Sequence, residues 1–295
     1  MKDEGLGTKV NLVDSHAHLD FPTSPRIAGL RGASVDNLDD VLVRAREAGV
    51  RKIITVGTTL EESKKAIEIA ENLSDKKLQI YASVGIHPKD GKGDVEKFGL
   101  LSCFETLKQI VGSSDKVVAI GECGLDYYLG SRGQGLGTSK KERWFQRELF
   151  DGQIKLAADV DLPLITHCRN AWGEIFGLIE NLKFKTENLK GVFHSWTGNW
   201  EAAKKALDLG FYISFSGIVT FKNATDIVEV SKKAPMKRIL IETDSPFLAP
   251  EPYRGGKNEP KNVRIIAQFL ADLRGLPFDK IAEATTENAN RLFKF

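Results

Sequence analysis

The sequence predicts an α/β protein, built as a (β/α)8 TIM-like barrel in a single domain. Two observations support this fold class: short runs of apolar, often β-branched residues recur eight times, and helical patterns of apolar residues separate them along the chain. Strands that alternate with helices pair in parallel, because each helix returns the chain to the starting edge of the sheet. Eight such units favour a closed barrel, with an open doubly wound sheet as the alternative.

The predicted strands are short and have the composition of buried strands. The intervals between them, roughly 20 to 45 residues, are long enough for a crossover helix each time. In chain order the strands are Asn11–Asp14, Lys52–Val56, Gln79–Val84, Val117–Ile120, Leu162–Thr166, Gly191–Phe193, Phe211–Phe215 and Ile239–Ile241.

Apolar residues at helical spacing fill most of these intervals. The predicted helices are Leu38–Ala48, Leu60–Asn72, Lys140–Asp159, Asn170–Leu182, Trp200–Leu209, Ala224–Lys233, Asn262–Arg274 and Phe278–Leu292. Pro22–Val35 and the Gly-rich Gly130–Ser139 lack periodicity and are expected to be loops. We expect residues 9–294 to form the barrel and residues 1–8 to be a flexible N-terminus.

Composition narrows the class of protein further. The chain has 295 residues and a formal net charge of only +2, which argues against a protein that coats long DNA. Its three cysteines are odd in number and far apart, so we expect no disulfides and a reducing, cytoplasmic location. Neither a secretory signal nor an apolar run of membrane-spanning length is recognisable. A closed barrel is compatible with a monomer.

All five histidines, together with two carboxylates, fall at or just after predicted strands. The carboxyl ends of barrel strands converge on one face, where active sites form. In Asp14-Ser15-His16-Ala17-His18, the two imidazoles are two residues apart on an extended segment and therefore point the same way. The other five positions, after the third, fourth, fifth, sixth and eighth strands, are His87, Glu122, His167, His194 and Asp244.

Imidazole and carboxylate donors together suit Zn²⁺, Mn²⁺ or Fe, and suit Mg²⁺ less well. Four histidines and two carboxylates are too many for one ion with an open position, and they suit two ions bridged by a carboxylate. Glu122, near the middle of the barrel order, is the expected bridge. Cys123 and Cys168 lie beside predicted ligands but point to the opposite face, where we expect them to pack. The predicted ligands are His16, His18, Glu122, His167, His194 and Asp244.

Several ordered motifs surround these positions: DSHAHLDF, SVGIHP, AIGECGLDYY, LPLITHCRNAW, FHSWTG, YISFSG, LIETDSPFLAP, YRGGKNEP and ENANRLF. They span nearly the whole chain, which resembles the TatD family of metal-dependent deoxyribonucleases within the amidohydrolase-like barrels. The resemblance implies a TIM-like barrel, two divalent ions and hydrolysis of phosphodiester bonds in DNA. It places the family's ligands on the same six residues, and it implies phosphate contacts for His87, Arg169 and Arg254.

The chain also departs from the family pattern. The loops after Phe21 and Tyr128 are longer than usual, and the basic run after Arg254 has one basic residue fewer, at Gly255-Gly256-Lys257. Trp196 stands where many members carry phenylalanine. These differences bear on substrate preference rather than on the metal chemistry.

The leading hypothesis is a two-metal deoxyribonuclease, exonuclease-like, that uses Mg²⁺, Mn²⁺ or Zn²⁺ and acts on short or single-stranded DNA ends. Asp244 is the expected general base, and Glu122 and His87 complete the catalytic centre. Asp126 and Glu242 are expected to hold ligand histidines in the right tautomer. A nucleobase could stack on one of two aromatic residues, Trp196 or Tyr127.

Two alternatives remain open. Related amidohydrolases cleave amide or ester bonds, but many of them use a bridging carboxylated lysine, and no lysine lies at a predicted strand end near the site. A metal-dependent binding module without catalysis is the other alternative, and the Asp244→Asn variant distinguishes it from an enzyme.

Overall fold

The computed structural model of the protein describes residues 11–20, 37–128, 138–183 and 189–295. Within these ranges, eight strands form one parallel sheet in sequential order. The strands are β1 (Leu12–Ala17), β2 (Val50–Val56), β3 (Gln79–Val84), β4 (Val117–Asp126), β5 (Leu164–Arg169), β6 (Gly191–Phe193), β7 (Tyr212–Phe215) and β8 (Ile239–Ile241).

The sheet returns on itself, and the segment after β8 meets the end of β1. The backbone N–H of Asp244 donates to the carbonyl oxygen of His16 at 2.9 Å, and that of His18 donates to the carbonyl of Ser245 at 2.8 Å. The predicted (β/α)8 barrel is therefore confirmed, and the open-sheet alternative is wrong.

Helices connect the strands on the outside of the barrel. The eight predicted helices are present with ends that shift by at most two residues. The pattern predicts no helix between β3 and β4, yet two helices, joined at Gly99, occupy that interval. The helices are α1 (Leu38–Glu47), α2 (Leu60–Leu73), α3 (Lys92–Phe98), α4 (Leu100–Val111), α5 (Lys140–Asp159), α6 (Trp172–Lys183), α7 (Trp200–Asp208), α8 (Thr225–Lys233), α9 (Val263–Arg274) and α10 (Phe278–Phe293).

The predicted flexible N-terminus and the loop Pro22–Val35 lie outside the described residues, as does most of Gly130–Ser139. The last residue of that second loop has a defined role. The Ser139 side chain accepts a hydrogen bond from the backbone N–H of Glu142 at 3.2 Å and so caps the start of α5.

Two layers of apolar side chains hold the barrel together. The larger layer lies between the sheet and the surrounding helices. The smaller one lies inside the barrel and includes Val13, Ile54 and Leu240, against which the end of α10 packs with Leu292 and Phe293. Since α10 also bonds to the starts of β1 and β8, it covers the amino-terminal end of the barrel. The opposite end, where the strands finish, remains open for a site.

Cys103 and Cys123 are buried free thiols packed in the apolar core, as expected. Cys168 is also a buried free thiol of that core, but it lines the cavity at the carboxyl end of the barrel as well, so it does not lie wholly on the opposite face as the sequence predicted. Among the described residues, no helix combines the length and the apolar character that crossing a membrane requires.

Candidate metal centre

Seven of the predicted site residues meet at the carboxyl end of the barrel, where all of them except the completely buried His16 line a cavity of about 660 Å³. Parallel strands in sequential order explain this convergence, since all eight finish at the same end. His16, Glu122 and His167 lie within their strands, β1, β4 and β5. The other four residues follow the end of a strand by one to three residues. The seven residues together are His16, His18, His87, Glu122, His167, His194 and Asp244.

Two irregular strands aim the central ligands. Between Asp14 and Ala17, β1 uses one residue more than its neighbour β2, and β4 does the same relative to β5 between Ile120 and Cys123. An extra residue of this kind breaks the strict alternation of side chains and redirects them. His16 lies in the first of these bulges, and the second contains Glu122.

One group of donors lies at the seam between the first and last strands. His16 Nε2 is 3.4 Å from Glu122 Oε2 and 3.5 Å from Asp244 Oδ1. His18 Nε2 is also 3.5 Å from Asp244 Oδ1 and 3.9 Å from Glu122 Oε2. Four donor atoms therefore surround one small volume.

A second group lies around the other oxygen of Glu122. His167 Nδ1 and His194 Nε2 are each 2.9 Å from Glu122 Oε1, and His87 Nε2 is 3.6 Å from it. The two carboxylate oxygens of Glu122 thus face two different sets of histidines, which is the arrangement of a bridging carboxylate. The geometry also permits His87 as a ligand of this second group.

The donor set fits divalent ions. His16 is completely buried, yet neither of its ring nitrogens has a hydrogen-bond partner within the part of the chain that the structure describes. A buried polar atom without a partner costs about 1–3 kcal/mol, so such atoms normally have one. Imidazole nitrogens clustered with carboxylate oxygens are the ligands that Zn²⁺ and Mn²⁺ accept.

The carboxylates and imidazoles of this site shift one another's pKa values strongly when no metal is bound. Burial raises the pKa of Glu122, but the positive charges of His194 and His87 outweigh it and hold that pKa well below its ordinary value. Burial lowers the pKa of His194, but Glu122 and Glu242 raise it well above its usual range. Burial and the neighbouring His194 lower the pKa of His16. Protons on histidines therefore balance the carboxylates, and bound cations would displace them.

Two further carboxylates contact the histidines from behind, as the sequence predicts. Asp126 Oδ2 is 3.4 Å from His167 Nε2. Glu242, completely buried, has its Oε1 3.3 Å from His194 Nδ1 and also accepts the backbone N–H of Ser195 at 2.7 Å. Each contact leaves the other ring nitrogen of the histidine directed toward Glu122.

A buried polar contact positions Asp244. Thr243 donates to Asp14 twice, from its backbone N–H to Oδ1 at 2.8 Å and from its hydroxyl to Oδ2 at 2.5 Å. Burial raises the pKa of Asp14 to about 8. The following residue, Asp244, has a φ of 55°, a left-handed conformation that aspartate tolerates better than most residues. The contact between Asp14 and Thr243 joins β1 to the segment after β8. It fixes the backbone of Thr243 and thereby the position of the next residue, Asp244.

The residues expected to contact phosphate divide into two groups. His87 and Arg169 line the cavity, and His87 is held by Asp90, whose Oδ2 is 3.0 Å from Nδ1. Arg254 is not among the lining residues that the structure describes. It lies over the ring of Phe221 at 4.1 Å, with Glu251 at 3.9 Å. The phosphate contact of Arg254 stays a prediction.

The expectation that Trp196 or Tyr127 stacks on a nucleobase is wrong. Trp196 is only 1% exposed, packs against Trp172 at 4.3 Å, and donates its Nε1–H to a backbone carbonyl at 2.7 Å. Tyr127 is 3% exposed and lies under Arg143. Neither ring has a free face for a base.

Sequence reasoning also missed a lysine near the site. Lys89, two residues beyond His87, has its Nζ 3.0 Å from Asp126 Oδ1. Its Nζ also lies 5.1 Å from the centre of the Tyr128 ring, and the Arg169 guanidinium lies over the same ring. The adjacent basic and acidic residues directly after SVGIHP were the available signal.

Comparison with known proteins agrees with this fold and with a metal-dependent hydrolase. The model of the family described as TatD related DNase matches residues 13–294. The metal-dependent hydrolase YabD of Bacillus subtilis is 37% identical over 96% of this chain and 99% of its own length. The metal-dependent hydrolase YcfH of Escherichia coli K12 is 36% identical over 96% of this chain and 95% of its own.

Solved structures give the same result. The crystal structure of YjjV, a TatD homologue from Escherichia coli K12, superposes with a TM-score of 0.78 at 30% identity, covering 98% of this chain and 100% of that one. A TatD family hydrolase from Entamoeba histolytica gives 0.76 at 26% identity, covering 96% and 97%. The chain therefore belongs to the TatD family of metal-dependent hydrolases.

Proposed function

We propose that this hydrolase cleaves phosphodiester bonds in DNA with the help of two divalent ions, acting on short or single-stranded ends in an exonuclease-like manner. The observation that carries the proposal is the arrangement around Glu122. Its two carboxylate oxygens face two groups of histidines at the floor of an open cavity, and Arg169 lines the same cavity. The family description, TatD related DNase, supports the same substrate class.

The chain's residues would hold the ions in two sets. His16, His18 and Asp244 would contribute to one position, His167 and His194 to the other, with Glu122 shared between them. His194 also lies close enough to His16 and Asp244 to group with them. When bound, two ions such as Mg²⁺, Mn²⁺ or Zn²⁺ acidify a water and offset the charge on a phosphoryl group.

Asp244 is the proposed general base. Its side chain lines the cavity and is 12% exposed. Burial raises the pKa of Asp244, but the hydrogen bond from His18 and nearby histidine charges bring it below its ordinary value. The carboxylate is therefore ionised at neutral pH and can accept a proton from the attacking water. His87, held by Asp90, directs its Nε2 into the same volume and would contact the phosphate or the leaving oxygen.

Cavity size and charge favour a short substrate. A volume of about 660 Å³ is that of a small-ligand site rather than a groove along duplex DNA. The formal net charge of +2 provides little general attraction for long DNA. Both features suit the terminal nucleotides of a strand.

The test is hydrolysis of end-labelled single-stranded DNA by the purified protein with Mg²⁺, Mn²⁺ or Zn²⁺. We expect stepwise shortening that stops when a chelator is added. Asp244→Asn should reduce turnover by about a thousandfold, since a positioned base contributes typically 10²–10⁴-fold. Asp208→Asn is the matched control, because Asp208 is exposed at the end of α7 and does not line the cavity.

Two results would contradict the proposal. Metal-loaded protein that leaves DNA intact while cleaving simple esters or amides would point to an amidohydrolase. Metal-dependent DNA binding without cleavage, unchanged in Asp244→Asn, would point to a binding module.

A further inference from the structure

We propose that Tyr128 is a positioning residue, whose ring holds the Arg169 guanidinium in place to bind a substrate phosphate. The inference rests on the proposed function, since it assumes an anionic substrate in the cavity. It concerns a residue outside the predicted ligand and phosphate-contact sets, at the end of the motif GECGLDYY.

The contact between Tyr128 and Arg169 is close, and both groups that form it, the phenol ring and the guanidinium, are planar. The Cζ atom of Arg169 lies 3.9 Å from the ring centre of Tyr128. A guanidinium over an aromatic face is attracted by the ring's charge distribution, and Arg stacks well because it is flat and weakly hydrated. Stacking occupies the face of the guanidinium and leaves the N–H groups at its edge available for a phosphate.

Backbone structure fixes the two residues beside each other. Asp126 and Arg169 are register partners in the last pair of β4 and β5. The backbone N–H of Tyr127 donates to the carbonyl oxygen of Arg169 at 2.8 Å, which extends the pairing by one residue. The backbone N–H of Tyr128 then donates to Asp126 Oδ1 at 2.9 Å, so the ring is anchored at its base.

The charge of Arg169 is available to a ligand. In the described part of the chain its guanidinium has no carboxylate within salt-bridge distance, although Arg169 is exposed and lines the metal cavity. The other cation on the same ring, Lys89, is 3.0 Å from Asp126, which balances its charge. Among the described residues, the ring therefore contacts two cations: Lys89, which is paired with Asp126, and Arg169, which lines the cavity without a carboxylate partner.

The expected size of the effect follows from the order that the ring imposes. An arginine that is already held in place loses less side-chain freedom on binding than one that moves in solvent. Removing the ring should weaken oligonucleotide binding about three- to tenfold, from the lost cation–π contact and the lost order together. The phenol hydroxyl is not part of the contact, so Tyr128→Phe should bind as the wild type does.

The experiment measures binding separately from cleavage. A fluorescein-labelled oligothymidylate with phosphorothioate linkages is titrated with Mn²⁺-loaded protein, and anisotropy gives the dissociation constant. Tyr128→Leu and Arg169→Met are compared with Tyr128→Phe. The matched control is Phe278→Leu, which removes a ring from Arg264, 4.6 Å away, at a place that does not line the cavity. The unmodified oligonucleotide is then used to determine kcat and KM for each variant.

The inference predicts that Tyr128→Leu weakens binding and raises KM with kcat nearly constant, that Arg169→Met does so at least as strongly, and that Tyr128→Phe and Phe278→Leu do neither. Combining Tyr128→Leu with Arg169→Met should add little, because both remove the same interaction. Equal affinity of Tyr128→Leu and wild type, or additive losses in the double variant, would overturn it. Wild-type protein that binds the oligonucleotide without cleaving it would contradict the proposed function, while the comparison of affinities would still decide the role of Tyr128.

Discussion

Replacing Glu242 with glutamine tests whether the carboxylate behind His194 tunes the metal centre. Glu242 is completely buried, and its Oε1 receives the Ser195 N–H at 2.7 Å and lies 3.3 Å from His194 Nδ1. Glutamine has the same shape, and its carbonyl oxygen can take the place of Oε1. The substitution therefore keeps both contacts in weakened form and removes the negative charge.

The expected loss of metal affinity depends on which contacts of Glu242 each variant retains. Loss of an outer partner of a ligand histidine typically costs 10–100-fold in metal affinity or activity. Because glutamine retains the contacts, we expect the lower end of that range, about tenfold or ~1.4 kcal/mol, for Glu242→Gln. Alanine also releases the His194 ring from its partner, so Glu242→Ala should approach a hundredfold, ~2.7 kcal/mol.

The assay is calorimetric titration of chelator-treated protein with Zn²⁺, with a competing chelator to bring the affinity into range. Glu259→Gln serves as the control: it removes the charge of another carboxylate, which contacts Arg44 at 2.8 Å and does not line the cavity. Metal affinity should be unchanged in this control. If both Glu242 variants bind Zn²⁺ as tightly as the wild type, or if the control loses as much, the role assigned to Glu242 is wrong.

Three further predictions follow from particular contacts. Thr243→Val removes the hydroxyl that donates to the buried carboxyl group of Asp14 and leaves that group with one hydrogen bond fewer, so urea denaturation should show a free energy of unfolding lower by about 1–3 kcal/mol, with Thr243→Ser restoring most of it. Zn²⁺ binding at pH 7 should release protons, and Zn²⁺ affinity should fall as the pH is lowered, because the raised pKa of His194 keeps it protonated in the metal-free site; calorimetry in buffers of different ionisation enthalpy measures this release. Trp196→Phe should lower the unfolding free energy by about 1–3 kcal/mol, through lost packing and a lost hydrogen bond, and leave oligonucleotide affinity unchanged, since the indole is buried.

Much of the fold and of the site was accessible from the sequence because both depend on topology. Alternating strands and helices predict a parallel barrel without any detail of packing, and in such a barrel every strand finishes at one end. A residue at a strand end is then near every other such residue. That is why histidines as far apart in the chain as His16 and His194 were assigned to one site, where their rings now stack at 4.1 Å.

Side-chain direction after a strand was not accessible in the same way. Trp196 is two residues beyond His194, and simple alternation would direct both toward the cavity. The backbone turns between them, because Ser195 has a φ of 41°, and Trp196 packs against Trp172 of α6 instead. A single residue in the left-handed region reverses the expectation, and serine carries no sequence signal for that conformation.

The closure of the barrel and the assembly of the candidate centre depend on the same residues. Strands β1 and β8 are joined near the site by the backbone bond from Asp244 to His16 and by the contact between Thr243 and Asp14. His16 and His18 come from one side of this seam and Asp244 from the other, so a cation between them would link the first and last strands. A cation that binds only when the barrel is closed, and not to the unfolded chain, stabilises the closed barrel by mass action. With a cation bound, the aspartate and histidines at the seam would therefore stabilise the fold as well as form the candidate metal centre, which would compensate for the short hydrogen-bonded pairing between β8 and β1.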